Sequence, residues 1–146
     1  MSTEVQIPPS TGTLAATIVD SGGAPMSIIQ TEDQWQVDFS LDLAGPIWQF
    51  LPGTLRFQVA LESIGSSPLE FEQSTTVPLA PPSPTPVTYT ASVVFPASSI
   101  NLGTEDSVSF KVVALLTARG VNPPNAPLPV AGMIDLGVVQ VYRYPM

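Results

Sequence analysis

Apolar and polar residues alternate with a period of two along several segments of the chain. The clearest segment runs from Trp35 to Leu43, where apolar residues occupy the odd positions and Gln, Asp and Ser the even ones. Because successive side chains of a strand point to opposite faces, this pattern predicts a half-buried antiparallel strand. Leu55 to Leu61 repeats it. Further predicted strands are Thr13 to Val19, Met26 to Gln30, Leu69 to Val77, Val87 to Phe95, Val108 to Thr117 and Ile134 to Tyr144.

Residues that terminate strands separate these segments. Asp20 to Pro25 and Gly65 to Pro68 are typical turns, and Gly45-Pro46 and Pro52-Gly53 enclose a short apolar connection. Short strands at this spacing predict an all-β fold, an antiparallel β-sandwich of seven to eight strands. Both the immunoglobulin-like and the jelly-roll type fit. A single domain is expected over residues 12–146, preceded by an N-terminal arm or edge strand over residues 1–11.

Two predicted strands are apolar on both faces. Val108 to Leu116 also fits helical spacing, but its β-branched and aromatic residues favour a strand, and no convincing capping box precedes it. Ile134 to Tyr144 has apolar residues on both sides around Val138 and Val139. We therefore expect both segments to be central strands covered on two sides, with a second subunit as one candidate for the outer cover.

Two proline-rich stretches interrupt the alternation, Pro78 to Pro86 and Pro123 to Pro129. Proline has no N–H to donate to a ladder, so neither stretch is expected to form a central strand. Both are predicted to be extended loops that cross between sheets or follow an edge.

Composition and charge exclude several kinds of partner. Of the 146 residues 44% are hydrophobic and only 11% charged, so Ser, Thr and Gln must cover much of the surface. Twelve acidic residues face four basic ones, a net charge of −8. Without a basic stripe, nucleic acid and anionic membranes are poor partners. No apolar run approaches the ~20 residues of a membrane span and no signal peptide is recognisable, so we expect a cytoplasmic protein by default.

The inventory of reactive side chains is small. The chain has neither histidine nor cysteine and no phosphate-binding glycine loop, so no catalytic, cofactor or metal residue is assigned. Carboxylates remain, but Asp38 and Asp42 would stand about 13 Å apart along one strand, too far for a glycosidase pair. A pair across strands, such as Asp38 with Glu62, stays open as a hydrolase alternative. The adjacent pairs Glu32-Asp33 and Glu105-Asp106 lack the regular spacing of a calcium loop.

Aromatic residues supply the first candidate interface. Trp35 is in register with a buried face and is expected in the core. Trp48 lies in an apolar segment between turns, and two interpretations remain open. The segment is a plug under the sandwich, or Ile47, Trp48 and Phe50 form an exposed patch for a protein or a carbohydrate.

The N-terminus supplies the second candidate. Val5 and Ile7 alternate with polar residues before Pro8-Pro9. The segment is either an edge strand or frayed tail, or an arm that adds to the sheet of a neighbouring subunit.

These observations favour a non-enzymatic structural or interaction module that associates with itself or with another protein subunit, as part of a larger assembly. The alternative is a module that binds carbohydrate or another neutral small ligand, with Trp48 and Tyr89 or Tyr142 as stacking platforms. A carboxylate-dependent hydrolase is the third hypothesis.

Overall fold

The computed structural model describes residues 2–7, 10–23, 25–44, 53–65, 68–79, 87–120 and 127–143. Within these ranges the regular structure consists of nine β-strands, which confirms the predicted all-β class. The strands are β1 (Ser2–Ile7), β2 (Ser10–Asp20), β3 (Ile28–Gln30), β4 (Trp35–Ala44), β5 (Gly53–Ser63), β6 (Glu70–Pro78), β7 (Val87–Phe95), β8 (Ser107–Gly120) and β9 (Pro127–Tyr142).

Eight strands lie on one path in the order β6-β5-β8-β9-β1-β2-β4-β7, and all neighbours on it are antiparallel. The short β3 lies off the path and pairs in parallel with the end of β9. Where the structure describes both strands, the ladder between β9 and β1 consists of the pair Gln6 with Ala131, and it joins the half that contains β9 to the half that contains β1. The path curls, because its two ends, β6 and β7, approach within 8 Å between Cα atoms.

The core lies between the two halves of the path. Phe39 of β4 contacts Phe57 of β5 across it, with ring centroids 5.1 Å apart. Trp35 is buried, as expected from its register, and stacks on Phe95 of the neighbouring β7 at 4.2 Å and 4°. In β5 every second residue from Leu55 to Leu61 is buried, which is the pattern expected of a strand with one covered face.

The proline-rich prediction is wrong for the end of its second stretch. We expected a loop from Pro123 to Pro129, but β9 begins at Pro127, which pairs with Arg119. The ladder between β8 and β9 shifts register between Thr117 and Arg119, so Pro129 falls within an irregular part of the pairing. Proline is tolerated there because a bulge leaves a backbone group without a ladder partner.

The predicted central position of Val108 to Leu116 and Ile134 to Tyr144 is confirmed up to Tyr142, but the expected cover on both sides is not, since Val138 is 55% exposed. β8 lies between β5 and β9, and β9 lies between β8 and β1. The inward side of β8 is buried, whereas Val113 and Leu115 on its outward side are only half-buried. No helix in the described part of the chain has the length and apolar character needed to cross a membrane.

Candidate interaction surface

The structure describes one of the two groups of candidate residues that the sequence suggested. Val5 and Ile7 lie in β1, which pairs with β2 of its own chain, Val5 opposite Gly12 and Ile7 opposite Ser10. Ile47, Trp48 and Phe50 lie outside the described residues, so their candidacy stays a prediction. Nothing therefore places the two groups on one surface.

The tyrosines proposed as stacking platforms are poorly placed for that role. Tyr89 is only 6% exposed and faces the core from β7. Tyr142 is half-buried, and its hydroxyl accepts a hydrogen bond of 2.7 Å from Nε2 of Gln30. The burial of Tyr89 leaves it no open face for a sugar, whereas Tyr142 is half-buried and the carbohydrate alternative stays a prediction.

A different surface emerges on the outward side of β6, β5, β8 and β9, which we call the mixed face. Among the described residues five large hydrophobic side chains are exposed, and four of them lie on or beside this face. Met133 and Val138 belong to β9, and Ile28 pairs with Gln140 at its edge. Ile64 continues the ladder of β5, since its N–H donates to the carbonyl of Ser109. Their exposed fractions are Met133 62%, Val138 55%, Ile28 62% and Ile64 57%.

The register places half-buried apolar residues beside the exposed ones. Leu115 of β8 lies between Gln58 of β5 and Met133 of β9. In the next outward row Val113 lies between Ala60 and Asp135. The centre of the mixed face is therefore mostly apolar, and no described segment of the chain covers it.

The outward side of β2, β4 and β7, the polar face, is different. Asp38 accepts hydrogen bonds of 2.7 Å from both Nε2 of Gln36 and Oγ of Ser92. Thr88 donates to Asp42 at 2.5 Å from the neighbouring strand. The fifth exposed hydrophobic residue, Val94 at 37%, lies on this face. The polar side chains of this face thus form hydrogen bonds with one another.

Charge is distributed unevenly along the mixed face. At one end, the acidic end, Glu62 of β5 is the register partner of Glu70 of β6, and Glu72 lies one outward row away. Arg56 of β5 and Arg119 of β8 form the opposite, basic end beyond the Met133 row. The face therefore has a mostly apolar centre around Leu115 and Met133 and net charge of opposite sign at its two ends. Val138 lies in the row of Glu62 and Lys111, and Ile64 and Ile28 lie beyond that row.

No protein-family model and no curated protein matches this chain. The assignment of function consequently depends on the geometry of the chain itself.

One ion pair lies near the acidic end. Nζ of Lys111 is 3.5 Å from Oδ2 of Asp135, and both side chains are about half exposed. A bulge holds Asp135 in place: Gly137 has a φ of 86°, and its N–H donates to Oδ1 of Asp135 at 2.9 Å. This backbone hydrogen bond, and secondarily the charge of Lys111, keep the pKa of Asp135 below its ordinary value despite partial desolvation.

The carboxylates do not assemble into a metal site in the described ranges, where no group of three or more His, Cys, Asp or Glu is suitably placed. Asp38 and Glu62, the pair that the sequence left open, lie on opposite outward faces of the molecule. Glu62, Glu70 and Glu72 line an open depression at the acidic end, and the carboxylate-dependent hydrolase stays an untested hypothesis.

Sequence reasoning detected part of this surface. The apolar character of β8 and β9 on both sides was visible as a pattern, and it covers Val113, Leu115 and Val138. Met133 and Ile64 carried no separate signal, because a single apolar residue at the end of a strand pattern is common on surfaces. The charged ends were invisible, since Arg56 and Arg119 become neighbours only through the pairing of β5 with β8.

Proposed function

We propose that this protein is a non-enzymatic structural or interaction module that associates with further copies of itself through the mixed face. The clustering of four of the five exposed large hydrophobic residues of the described chain on this one side carries the proposal. Scattered exposed apolar residues are ordinary, whereas their concentration on one side of a molecule is typical of an interaction surface. We also propose that the subunit is an antiparallel β-sandwich, supported by the Phe39–Phe57 contact between the two halves of the path.

The mixed face has a suitable size for such a role. From Thr54 to Ile64, at about 3.4 Å per residue, the face is roughly 34 Å long, and four strands about 4.8 Å apart make it roughly 19 Å wide. Its projected area of about 650 Å² approaches the ~800 Å² per partner that standard interfaces bury. A total accessible surface of 7964 Å² leaves ample room for a contact of that size.

The experiment compares the wild type with Met133→Glu by sedimentation velocity from about 1 to 100 µM. We expect a concentration-dependent dimer or larger multimer for the wild type and a monomer for Met133→Glu, because a carboxylate in the apolar centre loses its hydration on association. Val94→Glu is the matched control, since it adds the same charge at an exposed apolar position of the polar face. It should assemble like the wild type.

A monomeric wild type at 100 µM would overturn self-association. In that case a Trp fluorescence response to neutral sugars would favour the ligand-binding alternative. Equal behaviour of Met133→Glu and Val94→Glu would remove the mixed face from the proposal.

A further inference from the structure

We propose that two copies pack mixed face against mixed face with their strands running in opposite directions, so that the basic end of each copy lies over the acidic end of the other. The inference rests on the proposed function, because it specifies how the self-association is built. It makes the partner a second copy of this chain and assigns Arg56 and Arg119 as specificity-determining residues.

Most of the positive charge of the chain lies on the mixed face. The chain has a net charge of −8 and only four basic residues. Three of them, Arg56, Lys111 and Arg119, point outward from the mixed face, and the fourth, Arg143, donates to the carbonyl of Gly103 elsewhere. Two acidic copies repel each other over most of their surfaces. Because Lys111 is paired with Asp135 beside the acidic end, the cations that one copy offers to the other are Arg56 and Arg119.

The symmetry of a dimer limits how two mixed faces can meet. Two identical faces that meet around a two-fold axis are related by an axis lying in the plane of contact. If this axis runs along the strands, like ends meet, so that the end with Glu62, Glu70 and Glu72, where Lys111 is the register partner of Glu62, lies over the same end of the other copy. If it runs across the strands, each acidic end meets a basic end. The charge distribution therefore selects the crosswise axis, because opposite potentials across an interface favour association and like charges disfavour it.

The position of the apolar centre favours the same axis. The row of Gln58, Leu115 and Met133 lies between the two ends, one outward row from Arg56 and two from Glu62. A crosswise axis through this row stacks the apolar residues of the two copies on each other. It thus buries Leu115 and Met133 in the middle of the contact with charged residues on either side, as in a protein interface with an apolar core and a polar rim, while Val138 lies beside the acidic end.

The same pattern disfavours other occupants. A partner with uniformly negative charge would be repelled by the acidic end, and one with uniformly positive charge by the basic end. A surface that carries both signs at opposite ends with an apolar centre is complementary to its own copy turned by half a rotation. We therefore take a second copy as the occupant.

The test exchanges the charges of the two ends separately. One variant is Arg56→Glu/Arg119→Glu and the other is Glu62→Lys/Glu70→Lys, with the dimer dissociation constant measured by sedimentation at low salt and at about 0.15 M salt. Each variant alone should dissociate about tenfold or more readily than the wild type, since each brings like charges together at both ends. An equimolar mixture of the two should recover wild-type affinity as a heterodimer.

Net charge gives a sharp internal control. Glu62→Lys/Glu70→Lys changes the net charge from −8 to about −4, so general repulsion alone would make this variant dimerise more tightly than the wild type. Asp38→Lys/Asp42→Lys adds the same charge on the polar face and should dimerise at least as tightly as the wild type. The two variants thus separate complementarity from net charge.

The outcomes distinguish the inference from the proposed function. A wild type that dimerises and loses its dimer on Met133→Glu, but retains it in both charge-exchanged variants, overturns the antiparallel arrangement and leaves the mixed face as the interface. If the mixture of the two charge-exchanged variants does not recover wild-type affinity, the antiparallel arrangement is likewise overturned and the mixed face remains the interface. A wild type that stays monomeric overturns both.

Discussion

Substitution of Phe57 tests most directly how the two halves of the strand path enclose the core, because its ring contacts Phe39 in the other half. Both rings are buried, and their centroids lie 5.1 Å apart at an angle of 51°. Phe57→Ala should lower the free energy of unfolding by about 3–5 kcal/mol, from the lost burial of the ring and the cavity left behind. A domain of this size has roughly 5–15 kcal/mol of stability in total. The variant should therefore remain folded but be markedly weakened.

Chemical unfolding followed by far-ultraviolet circular dichroism measures this loss. With a urea dependence of about 2 kcal/mol per molar, a loss of 3–5 kcal/mol moves the midpoint down by about 2 M. The measurement should be made at two protein concentrations, because self-association would make the midpoint depend on concentration. Gln58→Ala is the matched control, since Gln58 is the next residue of β5 and points outward, where its Nε2 donates to Glu72. Its effect should stay within about 0.5 kcal/mol.

A double-mutant cycle isolates the contact between the rings. Phe39→Leu, Phe57→Leu and the double variant keep most of the buried volume while removing the aromatic pair. We expect a coupling free energy of about 0.5–1.5 kcal/mol beyond the loss of apolar area. A coupling indistinguishable from zero, together with a Phe57→Ala midpoint within 0.5 M of the wild type, would refute the packing of β4 on β5 through this pair.

Two further predictions concern local geometry. Carbon-detected NMR titration should give Asp135 a pKa below its ordinary value, and Lys111→Met should leave most of the depression, since the hydrogen bond from Gly137 is the larger cause. Because the pKa of Asp135 is lower in the folded than in the unfolded protein, its carboxylate stabilises the fold above the unfolded pKa, and this stabilisation is lost as the pH falls through the folded pKa. A pKa of Asp135 that returns fully to its ordinary value in Lys111→Met would contradict the role of Gly137. Gly53→Ala should destabilise the protein by about 1–3 kcal/mol in thermal or urea unfolding, because its Cβ would lie 2.0 Å from the carbonyl oxygen of Arg119. Gly22→Ala, where the nearest atom is a movable carboxylate at 3.3 Å, should cost less, and equal losses would argue against the close approach of β5 and β8.

Strands such as β4, β5 and β7 could be predicted from the sequence because each one buries a single face. Val87 to Phe95 was predicted with the bounds that β7 has, and Trp35 to Leu43 differs from β4 by one residue. A period of two is a local property, so it is readable without knowledge of partners. The start of β9 was missed because it depends on a distant strand: a proline can be predicted within a strand only when its place in the pairing with β8 is known.

The arrangement of the strands could not be predicted in the same way. The pairing of β5 with β8 and of β2 with β4 joins segments that are distant in the chain, and alternation does not specify which strands become neighbours. The candidate interface inherits this limit. The sequence marked β8 and β9 as apolar on both sides, but the two charged ends form only when the register of four strands is set.

The two outward faces differ, and this difference supports the proposal that the mixed face is a contact surface between copies of the chain. The polar face shows how this chain covers a sheet when no partner is needed: Thr88, Ser92 and Asp38 line it and form hydrogen bonds with their neighbours. With 44% hydrophobic and 11% charged residues, a surplus of apolar side chains would be expected on both faces if composition alone decided their placement. Among the described residues four of five exposed large hydrophobic side chains instead lie on one side, together with three of the four basic residues. An exposed apolar centre costs solubility in a free monomer, so its confinement to one face supports the proposed burial of that face between copies.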